Sequence, residues 1–226
     1  IDKENKKYEL VFVQNPEPVR NVVVVTADIK PEGKMEGSAQ VNSVSYDKVD
    51  AVENYMLNGE KKYIDSLKNG NNDLRISSIK MENMTVDSLP LNETINFSLD
   101  LSGSDGTYIY FKPDLFTPLG QNPFLAEKRM TDIDFRYMRN DVIMGNYKIP
   151  DGYKTDALPK SVKMDMPDGS ISFRRIVLED GGSIVVRYTI MYRKAIFFKE
   201  NYAEIHDFYK KMYELMNEQI ILKKAS

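Results

Sequence analysis

The sequence predicts a mostly β protein built as two antiparallel β-sandwich-like units, with a helical insert in the first and one packed amphipathic helix near the C-terminus. Three observations carry this. Period-two alternation of apolar and polar residues recurs along the chain. Asp-Gly dipeptides at 105–106, 151–152, 168–169 and 180–181 mark tight turns, because both residues tolerate positive φ there. Only two stretches keep a helical period instead.

Taken in order, Asn21–Lys30 is β-branched and ends at the turn signal Pro31-Glu32-Gly33. Met35–Ser45 follows as its hairpin partner. Tyr46, Val49, Val52 and Tyr55/Met56 keep a helix period to Gly59, and Tyr63, Ile64 and Leu67 resume it to Asn69-Gly70, giving an insert over about 46–68. Leu74–Ile76 and Ile79–Met81 read as a strand pair or one bulged strand. Ile95, Phe97, Leu99 and Leu101 alternate with polar residues as a half-buried strand, and Thr107–Lys112 returns from it. Pro113–Arg129 holds Pro113, Pro118, Pro123 and Gly120, which argues against regular structure and places a boundary between units 1–115 and 116–226.

In the second unit, Val142–Ile149, Val162–Met166, Ile171–Leu178 and Ser183–Phe198 read as strands. Ile184, Val186, Tyr188, Ile190 and Tyr192 share one face, while Arg187, Thr189 and Arg193 share the other, the signature of an antiparallel sheet with one wetter side. Over about 201–217, Tyr202, Ile205, Tyr209, Met212, Leu215 and Met216 form one apolar stripe of a helix. Gln219–Leu222 reads as a short terminal strand.

Composition removes several function classes. With 31 Lys+Arg against 34 Asp+Glu and a net charge of −3, the 226-residue chain lacks the basic excess of a nucleic-acid platform. It has no cysteine and a single histidine, His206, so thiol nucleophiles, disulfides and His-cluster metal sites within one chain are excluded. The runs Val22–Val25 and Ile220–Leu222 are strand-sized, far from the ~18 apolar residues of a membrane helix. The start at Ile1-Asp2-Lys3, without an initiator methionine, reads as a trimmed piece of a longer protein.

Motifs that imitate chemistry have plainer readings. His206 beside Asp207 lacks a nucleophile on a G-x-S-x-G turn, and Gly181-Gly182-Ser183 is a hairpin turn. Asp100–Gly106 looks like a calcium loop, but the EF-hand positions for Gly and Glu hold Asp105 and Phe111. The carboxylates of Asp132/Asp134 and Glu179/Asp180 are adjacent in a chain that is 29% charged, where adjacency needs no purpose. No Gly-rich phosphate loop appears. No cofactor is expected. The sequons at Asn83, Asn92 and Asn96 matter only in a glycosylating host.

Two surface features remain. Tyr108, Tyr110, Tyr137 and Tyr153 form a sugar-stacking platform if they share one exposed sheet face. Leu115, Phe116, Leu119, Phe124 and Leu125 are large apolar residues in an irregular stretch. Exposed together they make an interaction patch; buried, they plug both units and fix the angle between them, with Arg129 reaching a carboxylate or backbone carbonyls.

The second half also carries a family likeness. Asn122-Pro123-Phe124, then Arg129, Asp134-Phe135, Tyr147-Lys148-Ile149-Pro150-Asp151-Gly152-Tyr153, Leu158-Pro159, Tyr202…Phe208 and Ile220–Lys224 resemble the C-terminal domain of unknown function of Bacteroidetes transglutaminase-like proteins, over roughly 120–226. Residues 1–115 resemble the β segment that precedes that tail. The resemblance implies an exported protein, periplasmic or at the cell surface, with a papain-like catalytic core upstream. That core needs a Cys-His-Asp triad, and no such residue can be placed on this chain. What the resemblance implies here is therefore a non-catalytic accessory region, whose partners are the upstream catalytic portion and a cell-surface protein or glycan.

Overall fold

The computed structural model describes residues 17–117 and 119–225; the Ile1-Asp2-Lys3 start, Pro118 and Ser226 lie outside them. In chain order the elements are β1 (Val19–Lys30), β2 (Lys34–Ser43), α1 (Ser45–Lys68), β3 (Leu74–Glu82), β4 (Leu91–Asp100), β5 (Tyr108–Phe111), β6 (Ile133–Asp134), β7 (Arg139–Lys148), β8 (Tyr153–Ala157), β9 (Val162–Asp165), β10 (Ile171–Asp180), β11 (Ser183–Tyr192), β12 (Ile196–Phe197), α2 (Tyr202–Met216) and β13 (Ile220–Lys224). The mostly β class, the helical insert and the packed C-terminal helix are all present.

Eight strands form one sheet in the order β3-β4-β2-β1-β7-β11-β10-β9. This sheet crosses the boundary expected at 115/116. β1 pairs with β7 in parallel, from Val19 opposite Arg139 to Asp28 opposite Lys148, whereas the other ladders are antiparallel. The two halves are thus joined edge to edge rather than standing as separate sandwiches. The physical reason lies in β1: Val22–Val25 is an unbroken β-branched run, the pattern of a strand flanked on both edges and half-covered on its second face. The hairpin from β1 to β2 turns at Gly33, whose φ of 75° is cheap only without a Cβ.

One face of the sheet carries the core: Val23 and Val25 of β1, Ile95 and Phe97 of β4, Ile143 and Tyr147 of β7, Tyr188 and Ile190 of β11 and Phe173 of β10 are all buried. The second layer is a three-stranded sheet, β5-β13-β8, and helix α2. Phe111 of β5 lies against Tyr147, with ring centroids 5.2 Å apart. A side chain at Gly145 would run into that Tyr147 ring, so the missing Cβ makes room for it. Tyr147 in turn donates its hydroxyl to the carbonyl of Pro113, 3.0 Å away, and pins the start of the connector.

The α2 stripe read from the sequence is the buried face, with Ile205 and Met212 fully covered, and Phe208 and Tyr213 widen it. Each such side chain contributes about 1.5–3 kcal/mol by leaving water. Arg175 of β10, only 1% exposed, closes the C-terminal end of α2. Its guanidinium donates to the carbonyls of Leu215 and Lys160 and pairs with Glu218 at 2.7 Å. A cation here complements the negative end of the helix dipole.

Two further differences from the expectation are local. The strand read as Ser183–Phe198 breaks after Tyr192 and resumes as β12, which pairs with β6. β8 is an additional strand between the Asp151-Gly152 turn and β9, in a stretch where the sequence pattern names no element. Of the two forms expected for 74–81, β3 takes the single bulged strand, with its register shifting between Ile76 and Ser78.

Candidate functional site

Helix α1 is folded in two at Gly59, whose φ of 80° and ψ of 163° lie in a region essentially reserved for glycine. The arms run back along each other. Asn54 donates to Ser66 Oγ at 3.4 Å, a contact a continuous helix could not make across twelve residues, and the Tyr55 and Tyr63 rings meet edge to face at 5.6 Å. The first arm is held by Lys48, 7% exposed, which donates its ammonium to the carbonyls of Val86 and Leu89 at 2.6 and 2.9 Å. The second is held by Tyr63, whose hydroxyl donates to Glu93 Oε1 at 2.6 Å. Because the arms fold back, much of the first arm's apolar stripe stays outside, and Tyr46, Val49, Met56 and Leu57 face solvent.

Between this hairpin and the core face of the sheet lies a cleft of about 400 Å³, walled by Asn21, Ser43, Asp47, Asp50, Glu93 and Arg139 on its polar side. Val41, Ala51, Leu67 and Phe116 make the apolar side. Glu93 is 2% exposed and sits among the inward residues of β4, where its neighbours are Leu91 and Ile95. Burial pushes its carboxyl above the ordinary value, and the Tyr63 hydrogen bond pulls back only in part. Burial also raises the Tyr63 phenol, so it remains a donor.

At the mouth, Arg139 of β7 is shared by two carboxylates. Its Nη2 lies 3.1 Å from Asp47 Oδ2 and 3.1 Å from Asp141 Oδ1. Tyr137 donates its hydroxyl to Asp47 at 2.7 Å and stacks on Tyr46, with centroids 5.0 Å apart. Burial and this carboxylate push the Tyr137 phenol up to about 12. The network ties the start of α1 to the sheet. Beyond Arg139 a second cavity of about 270 Å³ is lined by Leu119, Gln121, Phe135, Asp141, Tyr209 and Tyr213, among others.

The candidate residues read from the sequence scatter over this frame. Phe124 is buried and meets Tyr209 edge to face at 4.6 Å; Leu115 is also buried. Phe116 packs at 5.2 Å on Phe97, and Leu119 is half-buried. Leu125, in contrast, is 80% exposed. Arg129 donates to the carbonyl of Thr131 at 3.1 Å and lies over the Phe124 ring. The four tyrosines do not form one platform. Tyr108 and Tyr110 are neighbours on one face of β5, whereas Tyr137 is held by Asp47 and Tyr153 donates to the carbonyl of Gly106 at 2.6 Å.

Sequence reasoning missed Glu93, Tyr63, Arg139 and Asp141 as a group. One signal was available: carrying the β4 alternation back from Ile95 puts Glu93 at an inward position, where an acid demands an explanation. The pairing of Arg139 with Asp47 had no such signal, since 92 residues separate them.

Among known proteins, no curated protein matches the chain. A crystal structure of a "putative protease" from Parabacteroides distasonis is similar at 14% identity and a TM-score of 0.44, over 52% of this chain. The chain spans 23% of the length of that protein. The family described as a domain of unknown function with solved structure, DUF3858, matches residues 107–222. That span takes in β5 to most of β13 and just over half of the chain, which therefore belongs to the DUF3858 family.

Proposed function

We propose that this chain is the non-catalytic accessory region of an exported transglutaminase-like protein, periplasmic or cell-surface, and that it holds the upstream catalytic portion through its connector. The observation that carries this reading is a set of exposed apolar side chains on two adjoining segments. Leu125 of the Pro113–Arg129 connector and Met130 immediately after it are 80% and 86% exposed, and Ile196 and Phe198 are 55% and 63% exposed. The segments are bound to each other: β6 pairs with β12, the Lys199 amide donates to Asp132, and the Tyr202 hydroxyl donates to the Ala126 carbonyl. Large apolar side chains gathered on one surface mark an interaction site. Buried Phe124 and exposed Leu125, one residue apart, let the connector serve as plug and docking surface together.

The double variant Leu125→Ser/Phe198→Ser tests this. Its melting temperature should stay within a degree or two of the parent, because neither side chain contributes to the core. Binding of the upstream catalytic portion, supplied in trans, should fall at least tenfold. Undiminished binding would remove the connector from the interface. Amine incorporation or peptide cleavage by the chain alone would overturn the non-catalytic reading.

A second reading, glycan binding, is favoured by Tyr108 and Tyr110. Their rings are 6.1 Å apart at 26°, and Lys223 lies over Tyr108. A glycan array with Tyr108→Ala/Tyr110→Ala as its control decides it.

A further inference from the structure

We propose that the cleft beneath the α1 hairpin is a binding site for a primary ammonium group on an alkyl stem, with Glu93 as the acceptor at its floor. The starting point is a carboxyl on the core face of a strand that also walls an open cleft. Glu93 is 2% exposed, its Oε1 accepts the Tyr63 hydroxyl at 2.6 Å, and that phenol is its one hydrogen-bond donor among the described residues. Its second oxygen is not sealed off without a partner, as Asn140 Oδ1, Thr155 Oγ1 and the Tyr188 hydroxyl are, so it stays open to a further donor. The buried cations are engaged by the protein itself, Lys48 by two carbonyls and Arg175 by two carbonyls and a carboxylate. Glu93 instead keeps an acceptor position at the wall of a cleft with room for a guest.

The charges select the guest. The polar wall carries Asp47, Asp50 and Glu93 against Arg139 alone. That guanidinium is already engaged by Asp47 and Asp141, so an anion finds no free cation here. Lys48 turns its ammonium to the Val86 and Leu89 carbonyls. No three acidic or histidine side chains among the described residues are placed to hold a metal ion. The remaining chemistry is an organic cation that brings N–H donors. Val41, Ala51, Leu67 and Phe116 offer an alkyl stem an apolar wall, and Asn21, Ser43, Ser66 and Thr117 stand around it as additional polar contacts. A lysine side chain and a free alkylamine both present this chemistry.

The experiment uses the whole chain and three probes: n-pentylamine, 1-pentanol as its neutral counterpart, and Nα-acetyl-lysine N-methylamide. Titration followed by amide chemical shifts should show saturable binding of pentylamine, with changes confined to residues around Tyr63, Leu67 and Glu93. Pentanol should bind at least tenfold more weakly, the value of one charge-assisted hydrogen bond. Glu93→Gln should lose that tenfold, while Glu179→Gln, on an exposed hairpin, should keep it. Saturation by the lysine derivative assigns the site to a polypeptide side chain; saturation by pentylamine alone assigns it to a free amine. The proposal is overturned if amine and alcohol bind alike, if neither saturates in the millimolar range, if the shifts scatter over surface carboxylates, or if Glu93→Gln binds as the parent does. Should Glu93→Gln fail to fold, the amine-against-alcohol comparison on the parent chain decides.

Discussion

A carboxyl on the core face of a strand has a stability consequence whose sign can be worked out. Burial raises the Glu93 pKa above its ordinary 4.5, so the folded chain holds the proton more tightly than the unfolded chain does. Folding is then favoured by this group below about pH 4.5, and the benefit is lost as pH climbs toward the raised folded value. Each tenfold difference in proton affinity corresponds to about 1.4 kcal/mol. Glu93→Gln keeps an oxygen for the Tyr63 hydroxyl and never ionises. Its melting temperature should match the parent's in acid and exceed it increasingly toward neutral pH. Melts across pH 4 to 8 check this, and a constant difference between the two proteins would refute it. A variant that is more stable yet blind to amines is the usual trade between stability and function. Arg139 behaves differently: burial works against its charge, and the carboxylates of Asp141 and Asp47 more than offset that, so it stays charged throughout.

The α1 hairpin and α2 show how far periodicity carries at the scale of elements. The stripe of α2 was legible because Tyr202, Ile205, Tyr209, Met212 and Met216 recur at helical spacing and the helix lies on a sheet face along its length. In α1 the same kind of stripe is present, but Gly59 turns it back on itself, and the face that meets the cleft carries Asp47, Asp50 and Ala51 instead. Hydropathy spacing marks a helix; it does not say which side a folded-back arm turns inward. The break is a backbone property, because a Cβ at Gly59 would meet nothing within 4 Å. Gly59→Ala should therefore cost about 1–3 kcal/mol through strain alone. Amide exchange should quicken over residues 60–68, where Tyr63 anchors the second arm, while exchange in α2 stays as it was. Unchanged exchange in that arm would mean that the hairpin does not depend on the glycine.

Over the whole molecule, strand alternation and turn chemistry made the hairpins readable, since each is a local pairing of neighbouring segments. The parallel pairing of β1 with β7 joins segments more than a hundred residues apart, and only the unbroken Val22–Val25 run hints that β1 has neighbours on both edges. The apparent boundary in the Pro-rich connector is a change of composition, not a gap in the sheet. This has a direct consequence for division of the chain. Cutting at 115/116 leaves β1 and β7 each without its partner, baring the Val22–Val25 edge of β1, and it separates β5 from β13, its partner from Ile220 to Lys223. Unpaired apolar edges invite aggregation. Residues 17–115 and 116–225, expressed separately, should be insoluble or melt without cooperativity, whereas expressed together they should assemble and melt as one. The matched family span, 107–222, should fail in the same way, since it contains β7 without β1. Two independent cooperative transitions from the separated pieces would restore the two-unit description and make the β1–β7 ladder a contact between finished domains.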